Sequence, residues 1–401
     1  MAGIFENDTY FMMMENKKYS MLVVGLYCDP RHIQRFCDNL KLINPLVDIT
    51  ILTDVPEEQQ KMLQDKTIKI EQYQVQPVKC KIKRLRYFLI GRRQRKFFVK
   101  FSKERNYDIV NVHFPYQYMS DVIDSLRKMS RYIVVSPWGS DVLRRDKLQL
   151  ERLSKLYEAA DYVTTFAYSN LGKKILQEFK IDPQKFIGSA FGTDLIDFIN
   201  HHKDSITEEE AKKRFGLEGR YVITCGYNMY ESQRHLSIVR AIDSVKSSLP
   251  DNLTLLFPMT YGNKDALSEY VESVKEECKK RKLNAVFVTD YLEMEDLFKL
   301  RMATDMFVHV QCTDASSGSV KEYILCNKKI VHGSWIKYEE LETYNPIFYF
   351  PVDRLENLGE SILKAYKSDK IAMSKGLIDF VKSAGYESRM AKFNDFIMSK
   401  I

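Results

Sequence analysis

The stretch "DMFVHVQCTDASSGSVKEYILCNKKIVHG", Asp305–Gly333, decides the fold of the second half of this chain. An apolar run ends at Gln311, small and hydroxyl residues follow it, and a helical pattern then leads into a second apolar run. This order of a strand, a loop, a helix and a strand predicts a parallel βαβ unit. Glu322 lies eight residues after Asp314, so the loop and the helix carry one acid each.

The same alternation of short apolar runs and longer amphipathic stretches extends along the chain and predicts two doubly wound α/β domains. The predicted strands are Tyr19–Tyr27, Val47–Thr53, Tyr107–His113, Arg131–Pro137 and Tyr162–Ala167 in the first half, and Arg220–Asn228, Leu253–Gly262, Asn284–Leu292, Asp305–Gln311 and Lys328–Trp335 in the second. We expect an N-terminal domain at 1–200, a C-terminal domain at 215–379 and a final segment at 380–401. The connection from Asp194 to Arg220 is expected to be polar, with one helix that begins at a capping box.

Length and composition narrow the class of protein. The chain has 401 residues, a formal net charge of +7 and seven cysteines, of which none forms a C-x-x-C pair. It has no apolar run of 18 residues, and acids at Glu6, Asp8 and Glu15 argue against a secretory signal. Unpaired thiols in a long chain indicate a reducing compartment, so we expect a cytoplasmic protein.

The positive charge is concentrated in one segment, Lys79–Arg105, which holds twelve Lys or Arg residues and one acid. The segment therefore carries +11, and the remainder of the chain carries −4. Its aromatic and aliphatic residues interleave with the charges. One interpretation is a solvated helix face beside a core face, and another is a patch that docks on anionic lipid or a phosphate-bearing acceptor. Nucleic acid is a weaker interpretation, because no nucleic-acid motif accompanies the patch.

The loop from Ser316 to Ser319 has the composition of an anion site. Small residues at a helix N-terminus expose backbone N–H groups, which together with the helix dipole suit a phosphate. A carboxylate at Glu322 can accept hydrogen bonds from two ribose hydroxyls, and Asp314 can reach the hydroxyls of a sugar beyond the phosphates. The alternative is a serine-rich turn followed by an acid that stabilises the helix.

The stretch resembles the signature of retaining GT-B glycosyltransferases, in which two acids separated by seven residues flank this junction. Three positions depart from that pattern, because Asp314 stands for the usual Glu, Asn327 for Gly and Lys329 for Pro. The segment "IDPQKFIGSAFGTDLIDF" is similar to the inter-domain segment of the same family, through Lys185, Gly192 and Asp194. The resemblance implies two Rossmann-like domains that face a cleft, with a C-terminal helix that crosses back to the first domain.

The resemblance also implies a donor site for a nucleoside-diphosphate sugar in the second domain. The family places an Arg after the strand glycine, whereas Tyr227 follows Gly226 here, so one cation is missing. Arg234 is the expected replacement, ahead of Lys264 and Lys321. The donor-binding residues implied in this way are Gly226, Tyr227, Asn228, Gln233, Arg234, Tyr261, Gly262, Tyr291, Leu292, Ser316, Ser317, Gly318, Ser319 and Glu322.

In the first half, "VVSPWGSDVLR" follows a predicted strand. Trp138 stands near the position of a histidine that meets the donor sugar in many retaining members. The stretch resembles bacterial 4-acetamido-fucose transferases and related capsule and O-antigen transferases. It implies catalytic or acceptor-side roles for Trp138, Asp141 and His113, next to Asp314. A core aromatic at Trp138 and a buried structural histidine at His113 are the alternatives.

The expected activity is retaining transfer of a sugar to a lipid-linked or polysaccharide acceptor, with peripheral contact to an anionic membrane through Lys79–Arg105. No D-x-D sequence and no His/Cys cluster occurs, so we expect neither a metal nor another cofactor. A sugar-nucleotide 2-epimerase of the same fold and a non-catalytic partner subunit remain as alternatives. The epimerase would convert a donor without an acceptor, and the partner subunit would bind no nucleotide.

Overall fold

The structure is a computed structural model that describes residues 18–56, 60, 67–75, 78–79, 81–189, 191–314, 317–344, 349–369 and 373–401. These residues form two compact units. The first contains the chain up to Ala167 together with Leu171–Phe191 and Glu387–Ile401. The second contains Tyr168–Asn170 and Gly192–Tyr386. Apart from the short segment Tyr168–Asn170, the chain changes unit after residues 191 and 386, whereas the sequence predicts domains that end at 200 and 379.

The first unit contains a parallel sheet with the order β3-β2-β1-β4-β5-β6, six strands among the residues described. The strands are β1 (Ser20–Gly25), β2 (Asp48–Thr53), β3 (Lys69–Gln72), β4 (Tyr107–His113), β5 (Ser130–Ser136) and β6 (Tyr162–Val163). The central strands are buried on both faces, which explains why they read as continuous apolar runs rather than as alternating ones.

The helices of the first unit connect these parallel strands. They are α1 (Pro30–Ile43), α2 (Lys83–Phe101), α3 (Ile123–Met129), α4 (Ser140–Leu143), α5 (Lys147–Ala159) and α6 (Asn170–Phe179). Asp29 caps α1 by accepting a hydrogen bond from the backbone of Arg31, and Asp146 forms a capping box with Gln149 at the start of α5.

The last helix, α16 (Tyr386–Met398), packs on the first unit, as the sequence predicts. Its Asn394 side-chain oxygen accepts hydrogen bonds from the Tyr19 hydroxyl at 3.3 Å and the Asn44 amide at 3.0 Å. Phe393 meets Phe36 edge to face, with ring centres 5.5 Å apart. A buried polar anchor and an aromatic contact therefore hold the chain end against this unit.

The second unit contains a parallel sheet with the order β12-β11-β10-β7-β8-β9, again six strands within the described ranges. The strands are β7 (Tyr221–Cys225), β8 (Leu253–Pro258), β9 (Ala285–Val288), β10 (Met306–His309), β11 (Lys329–Gly333) and β12 (Tyr349–Val352). The helices are α7 (Asp194–His202), α8 (Glu208–Arg214), α9 (His235–Val245), α10 (Lys264–Lys280), α11 (Met294–Met302), α12 (Gly318–Leu325), α13 (Glu339–Glu342), α14 (Leu358–Lys367) and α15 (Lys375–Lys382).

The ten strands expected from the sequence are present, and two further strands lie at the sheet edges. β3 and β12 are four residues long and partly exposed. β3 contains a single apolar residue, and β12 contains Pro351, which is typical of an edge strand. The connection expected to be polar also contains α7, whose Leu195, Ile196 and Ile199 are buried. The capping box of Thr207 and Glu210 is present.

No helix in the described ranges is long and apolar enough to cross a bilayer.

Candidate functional site

The candidate site lies at one edge of the second sheet. β7, β10 and β11 are neighbours and run parallel, so the loops that follow them emerge at the same edge. These loops carry Gly226 and Tyr227 after β7, Gln311 and Asp314 after β10, and Trp335 after β11. The topology therefore brings together side chains that are more than a hundred residues apart in sequence.

Gly226 allows the chain to turn sharply at the end of β7. Its φ is +65°, and a Cβ at this position would lie 2.9 Å from the Gln233 side-chain oxygen and 3.0 Å from the His235 ring. The positive φ, together with these close contacts, favours glycine at this position. The turn lets the Tyr227 backbone N–H donate to Gln233 Oε1 at 3.2 Å.

Asp314 is held by a network of neutral polar side chains. The Tyr227 hydroxyl donates to Asp314 Oδ2 at 3.3 Å, and the amide nitrogen of Gln311 donates to the same oxygen. Gln233 in turn donates to the Gln311 oxygen at 2.6 Å. Burial raises the pKa of Tyr227, and the neighbouring Asp314 raises it further, so this hydroxyl stays a proton donor at neutral pH.

Arg234 lies close to this network through Trp335. The Trp335 indole N–H donates to the Gln311 backbone oxygen at 2.7 Å, and the Arg234 guanidinium lies 4.9 Å from the centre of the indole ring. Of the two other cations considered, Lys264 forms an ion pair with Asp290 at 3.1 Å, and Lys321 is buried within α12. Arg234 is thus the cation that these contacts bring nearest to the Asp314 network.

The predicted loop residues lie at the start of α12, and Glu322, the second acid of the motif, lies one turn further along this helix. Ser317 caps the helix, because its side-chain oxygen accepts a hydrogen bond from the Val320 backbone at 3.3 Å. Gly318 is required at the next position, since a Cβ there would lie 2.7 Å from Thr193 Cγ2. Ser316, which was also predicted to bind the donor, lies outside the described residues.

Glu322 is buried and forms an ion pair with Arg301 of α11. Arg301 Nε donates to Glu322 Oε2 at 2.9 Å, and the guanidinium also reaches the Tyr323 hydroxyl at 3.3 Å and the Ser319 hydroxyl at 3.4 Å. Burial alone would lower the pKa of Arg301, but Tyr323 and Glu322 outweigh it and the net shift is upward. The other oxygen, Glu322 Oε1, lies 3.4 Å from where a Cβ on Gly318 would be, so it faces the helix start.

The remaining residues predicted to bind the donor differ in their exposure and contacts. The backbone oxygen of Tyr261 accepts a hydrogen bond from Met229 N at 3.1 Å, which links the loop after β8 to the loop after β7. Gly262 has a φ of +140° and packs against Met229. Tyr291 is exposed, whereas Leu292 is buried in an apolar cluster with α8 and α11 residues such as Ala211. Asn228 is buried and its side chain accepts from the Tyr230 backbone at 3.0 Å.

Sequence reasoning missed five residues that complete this site, and one of them is Gln311, which donates to Asp314. His309 ends β10 with Nε2 3.4 Å from Asp314 Oδ2, and His332 of β11 lies beside it. Trp335 and Arg301 hold Gln311 and Glu322 as described above. His309, His332 and Trp335 lie near the carboxyl ends of predicted strands, where ligands bind in parallel sheets. This position could have identified them as site residues. Arg301 gave none, since it reads as the polar face of a short helix.

In the first unit, His113 ends β4 and Trp138 follows the adjacent strand β5, and their ring centres are 6.4 Å apart. Trp138 also meets His32 at 5.0 Å and Phe191 at 5.3 Å, in both cases edge to face. Both ring nitrogens of His113 are buried with no hydrogen bond to a described residue, and burial lowers the pKa of His113 to about 3. His113 is therefore a neutral imidazole at physiological pH.

Asp141 shapes the loop that presents Trp138. Its Oδ1 accepts hydrogen bonds from the backbone N–H groups of Trp138 at 2.9 Å and Gly139 at 2.7 Å, and Gly139 has a φ of +107°. The carboxyl group is fully buried. Burial raises the pKa of Asp141 to about 7, although the two backbone donors act in the opposite direction. Asp141 is thus partly protonated near neutral pH.

The chain resembles known proteins in its structure and not in its sequence. No family model matches the chain, and no curated protein matches it. Solved structures do match over nearly the whole length. A glycosyltransferase from Rickettsia africae has 14% identity and a TM-score of 0.66, over 96% of this chain and 98% of that one. HepE from Anabaena, solved with UDP and glucose, has 14% identity and a TM-score of 0.68, over 96% and 100%.

The chain has the GT-B fold. This confirms the fold class that the sequence predicts. A third match is the N-terminal domain of the trehalose-6-phosphate phosphatase of Candida albicans, with 12% identity and a TM-score of 0.70, over 96% of this chain and 98% of that one. At this level of identity the likeness shows the fold alone, so the argument for activity depends on the site residues.

The buried carboxyl of Asp141 makes stability depend on pH. The folded protein holds a proton on Asp141 up to about pH 7, whereas the unfolded chain releases it near the ordinary value, so the free energy of unfolding falls as pH rises between these values. Asp141→Asn is neutral throughout. Between pH 5 and pH 8 its free energy of unfolding should rise relative to wild type by about 2 kcal/mol in urea titrations. A constant difference would contradict this assignment.

Glu322→Ala would remove one partner of the buried ion pair and leave the Arg301 guanidinium charged and without its carboxylate. We expect the free energy of unfolding to fall by about 3–5 kcal/mol in urea titrations, and the double variant Glu322→Met/Arg301→Met to recover most of this loss. Glu322→Gln retains an acceptor for Arg301 and should lose less. If Glu322→Ala unfolds within about 1 kcal/mol of wild type, the pair does not carry this energy.

Proposed function

We propose that this protein is a glycosyltransferase whose second unit binds a nucleoside-diphosphate sugar. The observation that carries the proposal is a pair of acids held by separate sets of partners: Asp314, partly buried, precedes α12, and Glu322, buried, lies within it. The matched HepE structures contain UDP with glucose, and UDP-glucose, which supports a nucleotide-sugar donor.

Each part of the donor has a chemical counterpart at this edge of the sheet. The backbone N–H groups at the start of α12 and the Arg234 guanidinium would hold the diphosphate. Glu322 Oε1 would accept hydrogen bonds from the ribose hydroxyls, while Oε2 stays paired with Arg301. Asp314 would hold the hydroxyls of the transferred sugar. Because negative charge grows on the departing diphosphate, preorganised donors and a cation there would be the main catalytic contribution.

We further propose that transfer occurs with retention of configuration and without a metal, as the resemblance implies. The acceptor hydroxyl would attack from the face of the leaving group, and a diphosphate oxygen would take its proton, so no protein nucleophile is required. The absence of a D-x-D sequence supports a site in which helix dipole and Arg234 replace a divalent cation.

A nucleotide panel tests the donor site. We expect UDP, GDP, dTDP or ADP, without added metal, to raise the melting temperature of the protein and to bind in calorimetry. Glu322→Gln should raise the dissociation constant of that nucleotide about 10- to 100-fold, since a hydrogen bond to a charged group is lost. Glu360→Gln, on the exposed face of α14, is the matched control and should bind as wild type does.

The outcomes of the panel separate the three candidate functions. Binding of one diphosphate that depends on Glu322, with sugar transferred to an added acceptor, supports the transferase. Conversion of the nucleotide sugar without an acceptor would instead indicate an epimerase. No binding of any nucleotide would contradict a donor site and indicate a non-catalytic partner subunit.

We also propose that the first unit docks on an anionic membrane, where a lipid-linked acceptor for bacterial surface-glycan assembly would be found. Leu85, Phe88, Arg92, Lys96 and Val99 recur every three or four residues along α2, so they share one face, and all five are exposed. The opposite face is buried. An exposed stripe of apolar and basic side chains suits the interface of an anionic bilayer better than it suits water.

Charge reversal on α2 tests the membrane contact. Arg92→Glu/Lys96→Glu should reduce binding to vesicles of phosphatidylglycerol and phosphatidylcholine at least about tenfold, because each basic residue near such a surface contributes roughly 1 kcal/mol. Arg95 is left intact because it contacts Asp121 at 3.6 Å. The control Lys279→Glu/Lys280→Glu makes the same change at the exposed end of α10. Equal vesicle binding by both double variants would refute the proposal.

A further inference from the structure

Two buried histidines lie edge to edge beneath Asp314. His309 and His332 are register partners on β10 and β11, and their Nδ1 atoms are 3.1 Å apart. The ring planes are parallel to within 1°, and the ring centres are 5.2 Å apart. This separation nearly equals the distance between the two nitrogens plus both ring radii. The rings therefore share a plane, and an N–H of one points at the lone pair of the other.

The carbonyl of Ile336 sets the direction of this hydrogen bond. His332 Nε2 lies 2.9 Å from the Ile336 backbone oxygen, which can only accept, so Nε2 carries the proton. Burial lowers the pKa of His332 to about 3, so its ring is neutral and its Nδ1 has a lone pair. The proton between the two rings must then belong to His309 Nδ1.

A second chain of hydrogen bonds fixes the amides around Asp314. The Tyr227 backbone N–H can only donate, so it assigns the oxygen of Gln233, whose amide nitrogen then donates to the oxygen of Gln311. The nitrogen of Gln311 is consequently a double donor. One of its protons goes to Asp314 Oδ2, and the Tyr227 hydroxyl, 3.1 Å away, accepts the other.

His309 Nε2 faces both Asp314 Oδ2 at 3.4 Å and the Gln311 nitrogen at 3.3 Å. With both protons of Gln311 engaged, a proton on Nε2 would point at the carboxylate. The distance is that of an ion pair rather than of a short hydrogen bond. His309 is fully buried, and a largely buried carboxylate is stable when an opposite charge compensates it.

The aromatic neighbours bring no competing charge. Tyr227 and Tyr338 lie with their ring centres 6.0 Å from that of His309. Burial raises the pKa of both hydroxyls, so they stay neutral. Lys337 is a positive neighbour that acts on His332 and favours its neutral form.

We infer that His309 is doubly protonated and that His332, oriented by the Ile336 carbonyl, holds it there, so that the two histidines position Asp314 as an ionised acceptor for the sugar. They are positioning residues, because they act through Asp314. The inference rests on the proposed function in assigning the sugar to Asp314, whereas the protonation of His309 can be measured without any ligand.

Nitrogen NMR of the ligand-free protein, labelled with ¹⁵N at its seven histidines, tests the protonation state. We expect both nitrogens of His309 to resonate as protonated and His332 to show one bare and one protonated nitrogen. His235, a buried ring whose pKa burial lowers to about 3, is the internal neutral reference. His309→Gln and His332→Asn assign the signals. A neutral His309 with one bare nitrogen would overturn the inference.

A pair of substitutions separates hydrogen bonding from packing. His332→Asn retains an acceptor near the Nδ1 position, whereas His332→Phe fills the volume and offers none. We expect His332→Phe to reduce the preference for UDP-glucose over UDP about tenfold in calorimetry, and His332→Asn to retain most of it. The dissociation constant of UDP should stay within about twofold, because UDP lacks the sugar. The exposed His202→Gln is the control.

The two readouts distinguish the failure modes. If packing alone matters, His332→Phe should keep the preference better than His332→Asn, and the inference fails while the donor site stands. If wild type binds neither UDP nor UDP-glucose, the comparison is made with the diphosphate found by the nucleotide panel and its sugar. If no nucleotide binds, the proposed function fails, and the NMR measurement still decides the protonation of His309.

Discussion

The removal of two carboxylates from water, complete for Glu322 and partial for Asp314, is the constraint on which this end of the second sheet depends. A carboxylate removed from water needs compensation, and the two acids of the motif obtain it from different elements. Glu322 is paired with Arg301 of α11, whereas Asp314 is surrounded by Tyr227, Gln311 and His309 from the ends of β7 and β10. The parallel order of β11, β10 and β7 makes both arrangements possible, because it gathers these residues at one edge.

The local pattern of apolar residues was sufficient to predict the fold class and most of the strands. Strands buried on both faces read as apolar runs, and the junction from Ser317 to Glu322 reads as a loop and a helix start, so the order of elements could be predicted. The edge strands β3 and β12 were not predicted, because β3 has a single apolar residue and Pro351 interrupts the apolar run of β12. The helix α7 was not predicted either, because the connection was interpreted as polar, although its buried Leu195, Ile196 and Ile199 have helical spacing.

The contacts between side chains from different elements could not be predicted from the local sequence pattern. His309 and His332 are 23 residues apart and meet only because β10 and β11 pair in that register. Arg301 faces Glu322 because α11 packs beside α12, which no local spacing reports. Conversely, Leu292 lies in the expected place along the chain but packs into the core, so a motif position alone did not reveal that its side chain is buried. The donor-binding and catalytic assignments therefore stay predictions, with the geometry as their support.

A crystal structure of the protein soaked with UDP, or with whichever diphosphate stabilises it most, tests the central claim most directly. The account predicts the ribose hydroxyls within hydrogen-bond distance of Glu322 Oε1, the diphosphate at the start of α12 beside Arg234, and the Arg301 ion pair still closed. A nucleotide bound elsewhere on the second unit, or Glu322 turned away from the ribose, would contradict it.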